Sequence, residues 1–386
     1  MKLNVRPIAS HGRDFNRFVE LPYRLHQNLE HWVPPLRPDV KLMFDREKNP
    51  FFEHSEVQAF LAERPEGSGS RVVGRIAAIE NSAHNDFHDD RVGFFGFFEC
   101  EEDPEAAAAL FDAASDWLGA RDLDTMRGPA NFSTNDDCGL LIHGFHRPAA
   151  LMMPYNPPYY EKLVEGVGFA KARDLVAFYL AATEIPERLN RAADLVKRRS
   201  KVTTRPLNMK KYSQEIDLVR EIYNTAWEKN WGFVPLTEHE VDHLAKQLKP
   251  VVDANLIRFA EVDNEPIAFV LALPDMNLVL RHLGGRLGPI ELAKLLWYSR
   301  KIDMLRVFTL GIKPGFRSSG IDALLYRDIF QYGYARGIFR GEFSWVLEDN
   351  LAMCRPLERM GAKMDRTYRL YDRPIQKTPS HVDRGE

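Results

Sequence analysis

The feature that most constrains the fold is an internal repeat, because the second half of the chain restates the motif order of the first. In each half a short apolar strand enters a predicted hairpin, and an asparagine precedes a predicted helix that stops at a glycine. A tyrosine-bearing strand follows the glycine in both halves. The matched pairs, all at nearly one offset, are Phe60 with Phe259, Asn156 with Asn350, and Gly168 with Gly361. One motif order at one offset indicates two copies of a single unit.

Strands and helices alternate within each copy, which predicts an α/β fold with a mixed sheet. We expect an N-terminal domain over residues 1–181 and a C-terminal domain over residues 205–386. Between them, residues 182–204 are predicted to form a basic, amphipathic linker helix.

Bulk composition narrows the functional class. With 386 residues, 45% apolar content and a net charge of −3, the chain is typical of a globular protein and not of a nucleic-acid scaffold. Cys100, Cys138 and Cys354 are far apart and odd in number, which indicates reduced thiols in a cytoplasmic protein. No histidine or cysteine spacing predicts a metal site, and no stretch is apolar enough to span a membrane. Peripheral contact with the inner membrane stays open.

One stretch of the second copy has the order of an anion site. An apolar strand runs to Leu310, a loop containing Arg317 and Gly320 follows, and a helical pattern begins at Ile321. The first turn of a helix offers free N–H groups and a partial positive charge. A glycine lets a phosphate approach the backbone closely, so the stretch predicts a phosphate site.

The spacing from Arg317 to Asp322 resembles the pyrophosphate loop of the GNAT superfamily of acyl-CoA-dependent N-acyltransferases. Asp322 departs from that family's pattern, which has Gly or Ala there, and its carboxylate is tolerable only if it points away or caps the helix. Over nearly the whole chain, GFFGFFE, MMPYNPPYY and NWGFVPLT resemble one bacterial group of tandem GNAT-like proteins. That group includes or lies near bacterial ceramide synthases, which acylate the amine of a sphingoid base.

The resemblance implies two GNAT-like domains in tandem, with acyl-CoA or acetyl-CoA as co-substrate and no metal. In this family two parallel strands part and the pantetheine arm bonds in the gap, here between residues 307–312 and 343–347. An N–H in the gap, beside a bulge, would polarise the thioester carbonyl. The residues expected to hold CoA are Leu310, Gly311, Ile312, Arg317, Ser318, Ser319, Gly320, Ile321 and Asn350.

The catalytic and acceptor residues are less constrained by the pattern. The family's tyrosine acid would fall near Leu357, which cannot donate a proton. Glu348 and Asp275 are the candidate catalytic carboxylates, because one ends the second gap strand and the other follows the second hairpin. The candidate acceptor-site residues are Trp231, Asn277, Asn135, Asp136 and Tyr160.

The first copy has acidic residues from Glu101 to Asp103 where the second has its phosphate loop, so we expect it to have lost CoA. It would then shape the acceptor site or the interface between the domains. Three functions stay open at this point. The chain could acylate an amine such as a sphingoid base, acetylate a small amine or amino acid, or bind acyl-CoA as a non-catalytic regulator.

Overall fold

A computed structural model of the chain describes residues 2–376. Within them the first half forms seven strands and six helices. The strands are Asn4–Ile8 (β1), Ser55–Glu66 (β2), Gly69–Asn81 (β3), Val92–Cys100 (β4), Thr125–Gly128 (β5), Leu140–His143 (β6) and Ala170–Ala181 (β7). The helices are Gly12–Leu25 (α1), Arg37–Met43 (α2), Ser82–His88 (α3), Pro104–Gly119 (α4), Tyr160–Glu165 (α5) and Glu187–Arg199 (α6).

The second half repeats this plan over the described residues. Its strands are Thr203–Pro206 (β8), Ile257–Val262 (β9), Glu265–Pro274 (β10), Met304–Ile312 (β11), Arg340–Leu347 (β12) and Lys363–Pro374 (β13). Its helices are Tyr212–Trp227 (α7), Glu238–Leu248 (α8), Asn277–Leu280 (α9), Pro289–Ser299 (α10), Ile321–Ala335 (α11) and Leu351–Arg359 (α12).

All thirteen strands join one sheet, in the order β1-β2-β3-β4-β5-β13-β7-β12-β11-β10-β9-β8, with β6 attached to β13. Two pairs, β4 with β5 and β11 with β12, are parallel, and the other pairs in the described residues are antiparallel. The predicted α/β fold with a mixed sheet is confirmed. The equivalent position of the two parallel pairs confirms the predicted repeat.

The last strand of each half pairs with a strand of the other half. Strand β7 pairs with β12, and β13 pairs with β5, so the centre of the sheet alternates between the halves. Bidentate ion pairs secure the exchange, with Arg127 on Asp372 at 2.8 Å and Arg369 on Asp174 at 2.8 and 3.1 Å. The division at residues 181 and 205 stays a prediction, and hydrogen bonds between the halves cross it.

Helices cover both faces of this sheet. On one face α11 packs its buried residues against β9 and β10, and α6 packs Leu189, Ala193 and Val196 into the same core. On the other face α7 packs against β10 and β11 through Ile222. Because α6 lies beside α11, the linker helix forms part of the second half's core.

One local prediction was wrong. Asn350 does begin α12, accepting a hydrogen bond from Met353 N at 3.3 Å. Asn156 does not begin a helix, because its side chain bonds the backbone N–H and C=O of Leu141 in β6. The two prolines after Asn156 delay helix α5 until Tyr160.

Candidate active site

A cavity of about 1060 Å³ opens between the separated ends of β11 and β12. The parallel pairing of these strands ends at Val307 and Phe343, and beyond that point they part. Leu310 and Ile312 line one side of the opening, while Val346 and Leu347 line the other. The predicted gap therefore exists, and backbone groups facing it are available to a bound ligand.

Strand β11 carries a bulge beside the gap. Leu271 pairs with Thr309 and Ala272 pairs with Val307, so Phe308 is the extra residue. A bulge turns the backbone locally and changes where its N–H groups point. The bulge that the resemblance implies is present at Phe308, and the role of an N–H beside it stays a prediction.

The start of α11 forms one end of the cavity. Gly320 occupies the N-cap position with a φ of 78°, in the left-handed region that glycine favours. A Cβ there would lie 3.0 Å from a Val196 methyl of α6. Arg317 and Ser318 line the cavity beside Gly320, so loop and helix start are both accessible. This is the arrangement that suits a phosphate.

Asp322, the departure from the family pattern, also lines the cavity. Its carboxylate lies in the first turn of α11, near its own backbone N–H and that of Ala323. Burial raises the pKa of this carboxyl. The residue at the N-cap position is Gly320, so capping of α11 by Asp322 stays a prediction.

Four arginines line the same cavity from three elements. They are Arg188 on α6, Arg317 in the loop, and Arg355 and Arg359 on α12. Arg317 donates to the Ala226 carbonyl at 2.7 Å. Within residues 2–376, none of the four forms an ion pair with a carboxylate, although most arginines of the chain do. Unpaired guanidinium groups around one cavity suit a ligand with several phosphates.

Aromatic side chains form the rest of the wall. The rings of Trp227 and Trp345 meet edge to face at 6.2 Å, and Tyr223 stacks on Trp227 at 5.4 Å. Tyr326 packs edge to face on Phe343, at the point where the strands part, at 5.4 Å.

The Tyr326 hydroxyl is buried and has no hydrogen-bond partner among the described residues. A buried hydroxyl without a partner costs free energy, so a group that it can bond when the cavity is filled would remove that cost. Burial also raises the pKa of Tyr326, which keeps the hydroxyl a donor.

The structure brings most of the predicted CoA residues together. Leu310, Ile312, Arg317, Ser318, Gly320 and Asn350 all line the cavity. The other three lie just outside its wall. Gly311 is paired with Phe269 in the sheet, the Ser319 hydroxyl donates to the Phe316 carbonyl at 2.6 Å, and Ile321 is buried in the core.

The candidate base Glu348 lies on the surface and outside the cavity wall. Its carboxylate accepts hydrogen bonds from Lys171 Nζ at 2.8 Å and from the Asp174 backbone N–H at 3.2 Å. Both partners belong to the exchanged strand β7. These contacts give Glu348 a structural role, and catalysis by it stays a prediction without geometric support.

The second candidate, Asp275, is buried where the two halves meet. It accepts hydrogen bonds from the backbone N–H groups of Leu151 at 2.9 Å and Asn277 at 3.1 Å. Burial is the main cause that raises the pKa of Asp275 to about 6. The Asn277 amide donates to the Ala149 carbonyl at 2.9 Å. Both side chains therefore hold residues 149–151 of the first half against the second.

The predicted acceptor residues separate into two places. Asn135 and Asp136 lie near the cavity, because the Asn135 side chain accepts a hydrogen bond from Tyr223, which stacks on the cavity residue Trp227. Asp136 is half-buried and accepts from the Ser133 hydroxyl at 2.8 Å. Desolvation, with a contribution from neighbouring Asp137, raises the pKa of Asp136 to about 7.

Trp231 and Tyr160 lie away from the cavity wall. Trp231 packs under the guanidinium groups of Arg127 and Arg173. Tyr160 is buried in the first half, where its hydroxyl donates to Glu99 at 2.6 Å. Their roles in acceptor binding stay predictions without a supporting contact.

Sequence reasoning missed the three further arginines, Tyr326 and Trp345. A signal existed for Tyr326, because it lies one helical turn after Asp322 and so projects from the same face of α11. The arginines of α6 and α12 carried no such signal, since only the folded chain brings those helices to one cavity. Among residues 2–376, no cluster of His, Cys, Asp and Glu is arranged to hold a metal ion.

Comparison with known proteins decides the family. Over 386 aligned residues, covering 97% of this chain and 98% of the other, 39% are identical to the bacterial ceramide synthase of Caulobacter vibrioides. The chain belongs to the family of that protein. A second relative, YghO of Escherichia coli, is 36% identical over 94% of this chain and 93% of its own. No family model matches the sequence.

Solved structures agree on the fold. A tandem GNAT protein from the clavulanic acid biosynthesis pathway superposes with a TM-score of 0.57 at 12% identity, over 98% of this chain and all of its own. A GCN5-related N-acetyltransferase from Sphaerobacter thermophilus gives 0.52 at 13% identity, over 97% and 96%. This tandem GNAT chain is accordingly an N-acyltransferase with acyl-CoA as co-substrate, as the sequence predicted.

Proposed function

We propose that the enzyme transfers an acyl group from acyl-CoA to the primary amine of a long-chain amino alcohol such as a sphingoid base. The observation that carries the proposal is the cavity between β11 and β12, with four arginines at its rim and apolar side chains inside. The name of the 39% identical relative, a ceramide synthase, supports this acceptor class.

The cavity has a charged region that suits the diphosphate of an acyl-CoA and an apolar region that suits its acyl chain. Arg317 and Gly320 provide the charged donor and the accessible helix start that a diphosphate needs. Leu189, Met353 and Met360 supply an apolar surface of the kind that an alkyl chain fills. At about 1060 Å³ the cavity is at the upper end for small-molecule sites, which usually hold roughly 300–1,000 Å³.

In the proposed reaction the amine nitrogen attacks the thioester carbonyl carbon. The carbon–nitrogen bond forms, the carbon–sulfur bond breaks, and the sulfur leaves as a thiolate. We assign the hydrogen bond to the leaving sulfur to Tyr326, because its hydroxyl is unpartnered at the point where the strands part. Leu357, at the family's usual tyrosine position, is fully buried and has no donor.

The amine must also lose a proton to a base. Asp136 is our proposed base, because a carboxyl with a pKa of about 7 accepts a proton readily near neutral pH. Its neighbour in the chain, Asn135, accepts a hydrogen bond from Tyr223, which stacks on the cavity residue Trp227. The proposal assigns no role to a metal.

A sphingoid acceptor is held in a membrane, so the proposal includes peripheral contact with a bilayer. No helix among residues 2–376 is long and apolar enough to cross one. Contact would therefore involve the protein surface, and the exposed linker residues Lys197 and Arg198 are one basic region able to face anionic headgroups.

The test is an acylation assay with purified full-length protein. Acetyl-CoA and palmitoyl-CoA are each incubated with sphinganine or with soluble amines, and CoA release and N-acyl product are measured. We expect product from palmitoyl-CoA with sphinganine, and none from an Arg317→Glu control. If product formed only with small amines, the acceptor would be a small amine and not a sphingoid base. If the protein bound acyl-CoA but formed no product, it would be a non-catalytic regulator.

A further inference from the structure

Helix α10, on the connection between β10 and β11, presents an apolar face to solvent. Ile290 is 69% exposed, Leu296 60% and Trp297 58%, and Leu292 is more than half exposed. No residue of this helix is buried. Large apolar side chains grouped on one exposed element mark an interaction surface in a folded protein.

The orientation of α10 is the reverse of an ordinary surface helix. At 100° per residue, Ile290, Leu292, Leu296 and Trp297 fall on one side, and that side faces outward. The opposite side is half-buried and holds the helix in place. There Tyr298 stacks on His282, with ring centroids 3.8 Å apart. The exposed Lys294 also donates to the His282 carbonyl at 3.3 Å.

Basic residues surround the apolar face. They are Arg281, Arg286, Lys294, Arg300 and Lys301, all exposed. The one acidic residue of α10, Glu291, accepts a hydrogen bond from the Gly288 N–H at the helix start. The Lys301 ammonium lies 4.9 Å from the centre of the Trp297 ring. This surface is positive although the whole chain carries −3.

We propose that α10 is a membrane-surface helix that inserts its apolar face into the interface of an anionic bilayer. Leucine and tryptophan with flanking lysine and arginine are the composition of helices that lie in such interfaces. The charge decides between occupants, because a second copy of this chain would bring two positive surfaces together, whereas anionic headgroups would neutralise them.

Residues of the first half hold the connection that carries α10 at two points. The Arg37 backbone donates to the Gly285 carbonyl at 3.1 Å and its guanidinium donates to the Gly284 carbonyl at 2.9 Å. At the start of the connection, the Asp275 carboxylate accepts from the Leu151 N–H. The purpose of this docking rests on the proposed function, whereas the binding itself can be measured separately.

The experiment is flotation of full-length protein with vesicles of phosphatidylcholine alone or mixed with phosphatidylglycerol. We expect at least tenfold stronger binding to the anionic vesicles. The double variant Leu296→Ser/Trp297→Ser should lose at least tenfold, and Lys294→Glu/Lys301→Glu should lose the preference for anionic lipid. The matched control Met364→Ser, an exposed apolar residue on β13, should bind as the unaltered protein does.

Two measurements keep the outcomes distinct. Thermal unfolding of each variant should match the unaltered protein, because the changed side chains are exposed. Acylation of detergent-dissolved sphinganine should also be unchanged, whereas acylation in vesicles falls. The proposal would be overturned if the Leu296→Ser/Trp297→Ser variant bound vesicles as strongly as the unaltered protein. It would also be overturned if the unaltered protein did not bind vesicles but formed a dimer, and the same variant were monomeric. If the variants lost vesicle binding as expected but the protein acylated no amine, α10 would remain a membrane-binding helix and the proposed function would be wrong.

Discussion

The two halves differ most at the place where they should be most alike, the gap beside their parallel strands. In the second half the gap between β11 and β12 is open and lined by arginines. In the first half the chain after β5 fills it. The Ala130 N–H donates to the Phe95 carbonyl at 2.8 Å, and the Asn131 side chain accepts from the Phe97 N–H at 2.7 Å. The protein's own residues therefore satisfy backbone groups that the second half leaves to a ligand.

The helix that follows each gap shows the same contrast. Helix α11 starts at Gly320, which leaves its terminus accessible. Helix α4 starts at Asp103, whose carboxylate accepts from the Ala106 N–H at 3.1 Å and pairs with Arg64 at 2.8 Å. A carboxylate already occupies this anion site. The expected loss of CoA from the first half stays a prediction, and both contrasts support it.

The largest expected effect comes from adding a methyl group to the filled gap. In Gly96→Ala the new Cβ would overlap the Ala130 carbonyl oxygen, which is backbone and cannot move aside. We expect a loss of more than about 4 kcal/mol in stability, measured by denaturant unfolding. Gly320→Ala at the open gap is the matched control, because it adds backbone strain of about 1 kcal/mol and one close contact with a side-chain methyl of Val196, not with backbone. Equal losses would contradict the contrast between the gaps.

The next largest effect is expected from reversing the charge of Arg317 at the open helix start. Arg317→Glu should weaken acyl-CoA binding at least 100-fold, about 3 kcal/mol, since it replaces a phosphate partner by a repelling charge. Calorimetric titration measures this. Arg64→Glu at the closed helix start should instead leave acyl-CoA affinity unchanged and lower stability slightly. Unaltered affinity in Arg317→Glu would remove the phosphate site from this loop.

The residues at the end of the two hairpins should differ in how they make stability depend on pH. The first half has Asn81, which accepts from the His84 N–H at 3.1 Å, where the second has Asp275. Because the folded pKa of Asp275 is raised to about 6, the native state binds its proton more tightly than the unfolded state, and stability falls as pH rises from about 4 to about 6. Asp275→Asn should remove up to about 3 kcal/mol of that fall. Denaturant unfolding at several pH values measures it, and an unchanged slope would exclude Asp275 as its source.

The smallest effect concerns two buried tyrosines. Tyr326→Phe should lower kcat about tenfold, or 1.4 kcal/mol, with little change in KM or in thermal stability, because its hydroxyl has no partner in the free protein. Tyr160→Phe should show the opposite behaviour. It removes bonds to Glu99 and to the Cys100 N–H, so it should cost about 1–3 kcal/mol of stability. A drop in stability for Tyr326→Phe, with kcat unchanged, would argue against a role in the reaction.

Local patterns in the sequence predicted much of this molecule. Hairpins and the loop at Gly320 follow from apolar runs, turns and a glycine that are adjacent in the chain, whereas the parted strands were expected from the resemblance to a family. The position of Glu348 could not be predicted in this way, because its partner Lys171 comes from the other half. Trp231 shows the same limit, since only tertiary packing places it under Arg127. Which side chains a strand end meets depends on the strand paired beside it.

The exchange of β7 and β13 has a consequence for how such a protein can evolve. A gene encoding only the second half would leave β12 as a bare edge, without the β7 neighbour that supports one wall of the cavity. The first half, whose own gap is filled, is consequently required for the open cavity of the second half. A duplicated chain with exchanged strands thus needs its first domain for the cavity of the second, whatever the first domain itself binds.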